Sequence, residues 1–126
     1  RDGVKIIKPY SQTVILSTGY MTHTALKVAN KLTDVGVIDV FRIKPLNYEK
    51  LSELLHNVEN VVSLEEGTYS GGFGEKIGFF MASHGLYKHF LPIAVEDQHC
   101  YYYGTREGLL QFLVERKRES RKLKKY

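Results

Sequence analysis

Two stretches of this 126-residue sequence concentrate the groups that can do chemistry. The first, residues 65–74 (EEGTYSGGFG), sets two carboxylates, Glu65 and Glu66, ahead of a glycine-rich turn. Glycines before a helix let backbone amides cradle a phosphate or another anion. Glu66, Gly71, Gly72 and Gly74 are therefore candidates for an anion-binding or interface loop. The specific phosphate motifs fail, however. A dinucleotide fingerprint begun at Gly72 and Gly74 needs a glycine at 77, where Ile77 stands, and phosphate-loop spacing from Gly67 puts Phe73 at the lysine position. The competing reading is structural: these glycines supply positive φ and close helix–sheet packing. As neighbours at a strand end, Glu65 and Glu66 point to opposite faces and form no acid–base dyad. One of them is expected to accept hydrogen bonds from the turn amides.

The second stretch, residues 96–104, brings together Asp97, His99, Cys100 and the run Tyr101, Tyr102, Tyr103. A cysteine and a histidine can form a nucleophile–base pair, but adjacent residues rarely align for it and no orienting partner is identifiable. No catalytic residue is assigned on that basis. His99 joins the candidates for an anion or interface loop, and the three tyrosines are candidate interface anchors. His23 and His84 have no ligand partner at metal-binding spacing, and a single cysteine excludes both a disulfide framework and a multi-cysteine zinc site. No metal site is expected.

The elements that must position these groups are legible in the hydrophobic pattern. Short runs rich in Val and Ile predict strands at Val4–Ile7, Thr13–Ser17, Val37–Phe41, Asn60–Leu64 and Pro92–Val95. Their nearly continuous apolar character suits strands covered on both faces. Between them Met21, Ala25, Val28, Ala29, Leu32 and Val35 recur at helical spacing, with Gly36 placed as a C-terminal cap. Leu51, Leu54, Leu55 and Val58 repeat the pattern behind Pro45, with Asn47 as N-cap. A third helix is predicted over Phe73–His84, ending at Gly85, and a fourth opens at Thr105. Strand and helix alternating along the chain imply an α/β domain with a mostly parallel sheet and helices on both faces. One globular domain over residues 1–115 accounts for the pattern, followed by a tail over 116–126.

Composition bounds the function classes. Hydrophobic residues make up 43% and charged residues 25%, the balance of a soluble globular domain. No apolar run approaches the ~20 residues that span a bilayer. With a polar start and one cysteine, a reducing, cytoplasmic setting is the expectation. The net charge of +4 is not spread evenly: residues 116–126 (RKRESRKLKKY) carry +6, which leaves the body at −2. A basic tail of this kind can touch nucleic acid or anionic lipid. Strand tracking also calls for interleaved aromatics, and the tail offers Tyr126 alone. Nucleic acid is not an expected partner.

Taken together, residues 13–19 (TVILSTG), Val37–Pro45 with the following Leu46, residues 61–74 (VVSLEEGTYSGGFG), and Val95-Glu96-Asp97 with Gly104 downstream resemble the C-terminal domain of the transketolase family. Transketolases, 1-deoxyxylulose-5-phosphate synthases and the beta subunits of 2-oxo acid dehydrogenases share that domain. The resemblance covers roughly residues 4–115. It implies a three-layer α/β/α fold around a five-stranded mixed sheet of order 1-3-2-4-5, the first strand antiparallel. It also implies that the parent enzyme is a transferase of aldehyde or ketone groups using thiamine diphosphate and magnesium. In the family those bind to other domains, through a Gly-Asp-Gly…Asn motif and an activating glutamate; here Asp2-Gly3 is the sole Asp-Gly pair. The chain then resembles an assembly or dimerisation domain, inactive by itself and holding no cofactor. Its expected partners are the catalytic domains or subunit of the same enzyme and a second copy of itself. The alternative, drawn from the residues alone, is a stand-alone phosphate- or nucleotide-binding module using Gly71, Gly72 and Gly74.

Deleting residues 116–126 reverses the net charge from +4 to −2 and removes one aliphatic side chain, Leu123. The truncated chain is expected to keep its stability, since little apolar area is lost. Gel shifts at rising salt should show only weak, salt-sensitive nucleic-acid binding by the intact chain. Tight binding at physiological salt that disappears on truncation would identify the tail as a functional arm.

Overall fold

The computed structural model describes residues 2–19, 21–66 and 72–95. Its elements in chain order are β1 (Val4–Lys8), β2 (Thr13–Ser17), α1 (Met21–Ala29), β3 (Val35–Val40), α2 (Tyr48–Leu55), β4 (Asn60–Glu66), α3 (Phe73–Ser83) and β5 (His89–Val95). The five strands form one sheet in the order β1-β3-β2-β4-β5. β1 runs antiparallel to β3, and the other neighbours are parallel. The mixed sheet and its order are those the resemblance implies.

Burial explains the sandwich. In β2 every residue is buried, and alternate side chains enter different cores. Val14 and Leu16 join Ile38, Val40 and Val61 against Leu51 and Leu55 of α2 and Ile77, Phe80 and Met81 of α3. Ile15 joins Val37, Val62 and Leu64 against Met21, Ala25, Val28 and Ala29 of α1. Among the described residues, one helix therefore covers one face of the sheet and two cover the other; the helix expected from Thr105 lies outside them. Each such aliphatic side chain contributes roughly 1.5–3 kcal/mol when fully buried.

Helix ends are closed by groups from both near and far in sequence. Asn47 caps α2 as expected, its Oδ1 accepting from the Lys50 amide at 3.0 Å. After α3, Gly85 takes φ +69° while the Leu86 amide donates to the Met81 carbonyl at 2.8 Å, so the helix stops where the glycine predicts. The end of α1 differs from expectation. Val35 and Gly36 lie in β3, not at a helix cap, and the helix stops at Ala29. There the ammonium of Lys8 donates to the carbonyls of Ala29 (2.6 Å) and Leu32 (2.9 Å), the former also accepting from the Leu32 amide at 3.0 Å. Gly36 is small for another reason. A Cβ there would fall 2.5 Å from the Pro9 carbonyl oxygen and 2.6 Å from the Tyr10 Cβ, because the β1–β2 connection crosses directly over it.

β5 also begins earlier than its pattern suggests, at His89 in place of Pro92. Pro92 sits inside the strand opposite Ser63. It is tolerated because, among the described strands, β5 has a neighbour on one side alone.

The Tyr10 hydroxyl donates to the Leu54 carbonyl at 2.9 Å, pinning the β1–β2 connection to α2. Burial pushes this phenol above its ordinary value near 10. The folded chain thus holds the proton more tightly than the unfolded chain. That contribution is complete below pH ~10 and is lost as pH rises through the folded value. Tyr10→Phe should cost about 0.5–1.5 kcal/mol at pH 7 through the lost hydrogen bond. It should also flatten the decline in stability between pH 9 and 11, as urea titrations at each pH will show.

Candidate functional site

In an open α/β sheet, ligands meet the carboxyl ends of the strands where the strand order reverses. Here the chain passes from β2 outward to β3, then back across β2 to β4, so the reversal lies between β2 and β4. On the β2 side the Ser17 and Thr22 hydroxyls share a hydrogen bond of 2.8 Å, and Gly19 turns the chain into α1 with φ +54°. On the β4 side stand Glu65 and Glu66, with α3 starting at Phe73.

Glu65 is 5% exposed, and its carboxylate spans the start of α3. Oε1 accepts from the Phe73 amide at 2.9 Å and Oε2 from the Gly74 amide at 2.6 Å. Gly72, the N-cap residue, has no side chain to offer, so a glutamate eight residues upstream caps the helix in its place. Charge-assisted bonds to amides at the positive end of a helix are among the stronger hydrogen bonds in a protein. Of the two carboxylates it is Glu65, facing α3, that bonds the turn amides. Glu66 is exposed at the strand end.

The glycines divide by role. Gly72 has φ −88° and ψ −171°, an extended conformation open to any residue, so the positive φ expected of this turn does not occur there. Gly74 is closely surrounded. A Cβ on it would lie 3.0 Å from the Pro92 Cβ and 3.1 Å from both the Glu65 Oε2 and the Ser63 Oγ. Gly71, His99, Tyr101, Tyr102 and Tyr103 lie outside the described residues, as does Cys100.

Two polar groups were not singled out from sequence. Ser63 Oγ and Asp39 Oδ1 are buried with no hydrogen-bond partner among the described residues. Asp39 lies beside Ser17 across the β2–β3 ladder, whereas Ser63 faces α3. The available signal was a polar residue interrupting each apolar strand run, in residues 37–41 (VIDVF) and 61–65 (VVSLE).

The geometry does not fit an external diphosphate at the start of α3. Its first amides are already engaged by a carboxylate, and Glu66 adds negative charge at the same strand end. Among the described residues, no group of three or more His, Cys, Asp or Glu side chains is placed to hold a metal ion, and no helix is long and apolar enough to cross a membrane. At the amino ends of β4 and β5 a cleft of about 380 Å³ is lined by Val58, Glu59, Tyr87, Lys88 and His89. Its ammonium is already used, with Lys88 Nζ donating to the His56 carbonyl at 3.0 Å.

Gly74→Ala should destabilise the domain by about 1–3 kcal/mol, since the added methyl meets β4 and β5 side chains that sit on rigid strands. The better helix propensity of alanine, about 1 kcal/mol, offsets only part of this. Urea denaturation will read the difference, and an unchanged midpoint would refute the packing role.

Comparison with known proteins agrees with this architecture. Residues 2–116 match the family model described as "Transketolase, C-terminal domain". The 1-deoxy-D-xylulose-5-phosphate synthase of Aquifex aeolicus is 33% identical over 89 residues, covering 68% of this chain and 14% of the relative. The enzyme of the same name from Carboxydothermus hydrogenoformans is 31% identical over 98 residues, covering 75% of this chain and 16% of the relative. The chain thus spans about one-seventh of the length of these relatives. A solved structure titled "Split gene transketolase, inactive beta4 tetramer" superposes with a TM-score of 0.74 at 24% identity, covering 87% of this chain and 39% of that one. Matched over nearly its whole length and built on the same five-stranded mixed sheet, the chain belongs to the transketolase C-terminal domain family.

Proposed function

We propose that this chain is the C-terminal assembly domain of a thiamine-diphosphate-dependent, transketolase-like transferase, and that it is not catalytic by itself. The observation that carries the reading is the Glu65 clasp, which commits the first amides of α3 to the chain's own carboxylate. This disfavours the alternative phosphate- or nucleotide-binding module, which needs those amides for a ligand. The thiamine diphosphate and magnesium belong, in this reading, to the catalytic domains or companion subunit that supply the rest of the relatives' length.

Assembly gives a role to features that the isolated fold leaves unused. Phe79 is 77% exposed and Tyr87 86% exposed, large apolar groups of the kind that interfaces cover. Tyr48 stacks on Phe80 and His84 with ring centroids 5.5 and 5.7 Å apart and remains half-exposed at the α2–α3 surface. Self-association is part of the proposal, and the structural neighbour is described as a tetramer of its beta chain. A cytoplasmic location without membrane or nucleic-acid partners completes the reading.

Calorimetry of the 126-residue chain with thiamine diphosphate and magnesium should show no saturable heat, and sedimentation should show a dimer. Saturable binding at micromolar cofactor would overturn the non-catalytic assignment. A monomer at all concentrations would restrict the assembly role to contacts with the companion catalytic part.

A further inference from the structure

We propose that the start of α3 is a carboxylate-binding cradle which the chain fills with its own Glu65, and that removing this side chain opens a site for a small free carboxylate such as formate or acetate. The cradle has three parts. The Phe73 and Gly74 amides each donate to one carboxylate oxygen, at 2.9 and 2.6 Å, so the two oxygens are held as a pair. Ser63 Oγ is the third. The residue is 0% exposed, and its hydroxyl has no partner among the described residues. It also lies 3.1 Å from the same point beside Gly74 that is 3.1 Å from Glu65 Oε2. A buried hydroxyl that bonds no acceptor, the Glu65 carboxylate included, therefore lies on the same side of Gly74 as Glu65 Oε2. A buried hydroxyl without a partner carries a desolvation penalty, and an added acceptor would relieve it.

The rest of the site selects the ligand. The terminus of an 11-residue helix favours negative charge. The absent side chain of Gly74 leaves room beside the amides, while Pro92 and Ser63 close the far wall. The space vacated by Glu65→Ala has the size of a short carboxylic acid, and the nearby Glu66 disfavours a dianion such as phosphate. Planar two-oxygen geometry and a single negative charge define the class. In the intact chain Glu65 occupies the cradle in cis, so an external carboxylate has no vacancy to fill.

Thermal melts of the 126-residue chain, Glu65→Ala, Glu65→Gln and the double variant Glu65→Ala/Ser63→Ala, in sodium formate, acetate, phosphate or chloride at matched ionic strength, test this. Glu65→Ala should melt roughly 4–8 °C below the parent, as loss of one or two hydrogen bonds predicts for a domain of this size. Formate and acetate should raise its midpoint progressively with concentration, as a ligand of the folded state does, whereas chloride and phosphate should not. The parent and Glu65→Gln, whose sites are filled, should respond alike to formate and chloride. The double variant should need several-fold more formate for the same rise. In Glu65→Ala the amide resonances of Phe73 and Gly74 should move with formate, a response that a packing defect alone does not produce. Equal effects of formate and chloride on Glu65→Ala, or an equal formate effect on the parent, would overturn the proposal. Should Glu65→Ala fail to fold in chloride, refolding from urea decides: native circular dichroism recovered in formate supports the cradle, and failure in both salts overturns it.

Discussion

The contact between the Glu65 carboxylate and the first amides of α3 holds the end of β4 to the beginning of the helix that follows it. An 11-residue helix is marginal by itself, and most of its adhesion comes from Phe73, Ile77, Phe80 and Met81 buried against the sheet. Hydrophobic burial is non-directional, so these side chains alone would let the helix slide or tilt. Two charge-assisted hydrogen bonds with fixed geometry remove that freedom. The close approach of Gly74 to Ser63 and Pro92 depends on the resulting position, and so does the half-exposed stack of Tyr48 on Phe80 and His84. The same bonds commit the first amides of α3 to the chain's own carboxylate.

Similar joints recur around the sheet. Lys8 of β1 closes the carbonyl end of α1, and Tyr10 anchors the next connection to α2. Lys88 reaches the carbonyl of His56 just past α2, and Asn60 donates to Thr13 across the β2–β4 pair at 2.9 Å. Each of these bonds joins residues far apart in sequence, and those of Lys8, Tyr10 and Lys88 go to carbonyls at or near helix ends. Aliphatic packing thus supplies adhesion while a few polar side chains set the register of one layer upon the next. The antiparallel edge strand β1 is protected in a related way, since Lys5, Lys8 and an irregularity between Ile6 and Lys8 discourage a further strand from pairing.

Membership of the transketolase C-terminal domain family places this fold within larger enzymes, of which the chain spans about one-seventh in the relatives compared. In the assembly reading proposed above, such a domain needs a stable scaffold and contact surfaces. The described residues are consistent with those needs. Their polar groups at the strand ends are largely engaged with one another, and several large aromatic side chains remain on the outside.

Much of the architecture was determined by the sequence alone, because hydrophobic periodicity and capping chemistry are local. The Val- and Ile-rich runs of β2 and β4, the helical spacing in α2 and α3, Asn47 at one helix start and Gly85 at another end all follow from neighbours a few residues apart. The family resemblance carried the strand order, which periodicity cannot. Tertiary structure decided what depends on contacts across many residues. Gly36 reads as a helix cap until the chain from Lys8 to Tyr10 is seen to cross it, and the carbonyl at the end of α1 receives an ammonium from 21 residues away. Sequence narrowed the capping carboxylate to a pair, but the pleat that turns Glu65 toward α3 and leaves Glu66 exposed is settled only by the sheet's register. Ser63 is one more polar residue in a strand until the fold buries its hydroxyl beside Gly74. Local patterns determine elements, because their energies are summed over adjacent residues; the site depends on distances between elements, and those exist only once the layers have packed.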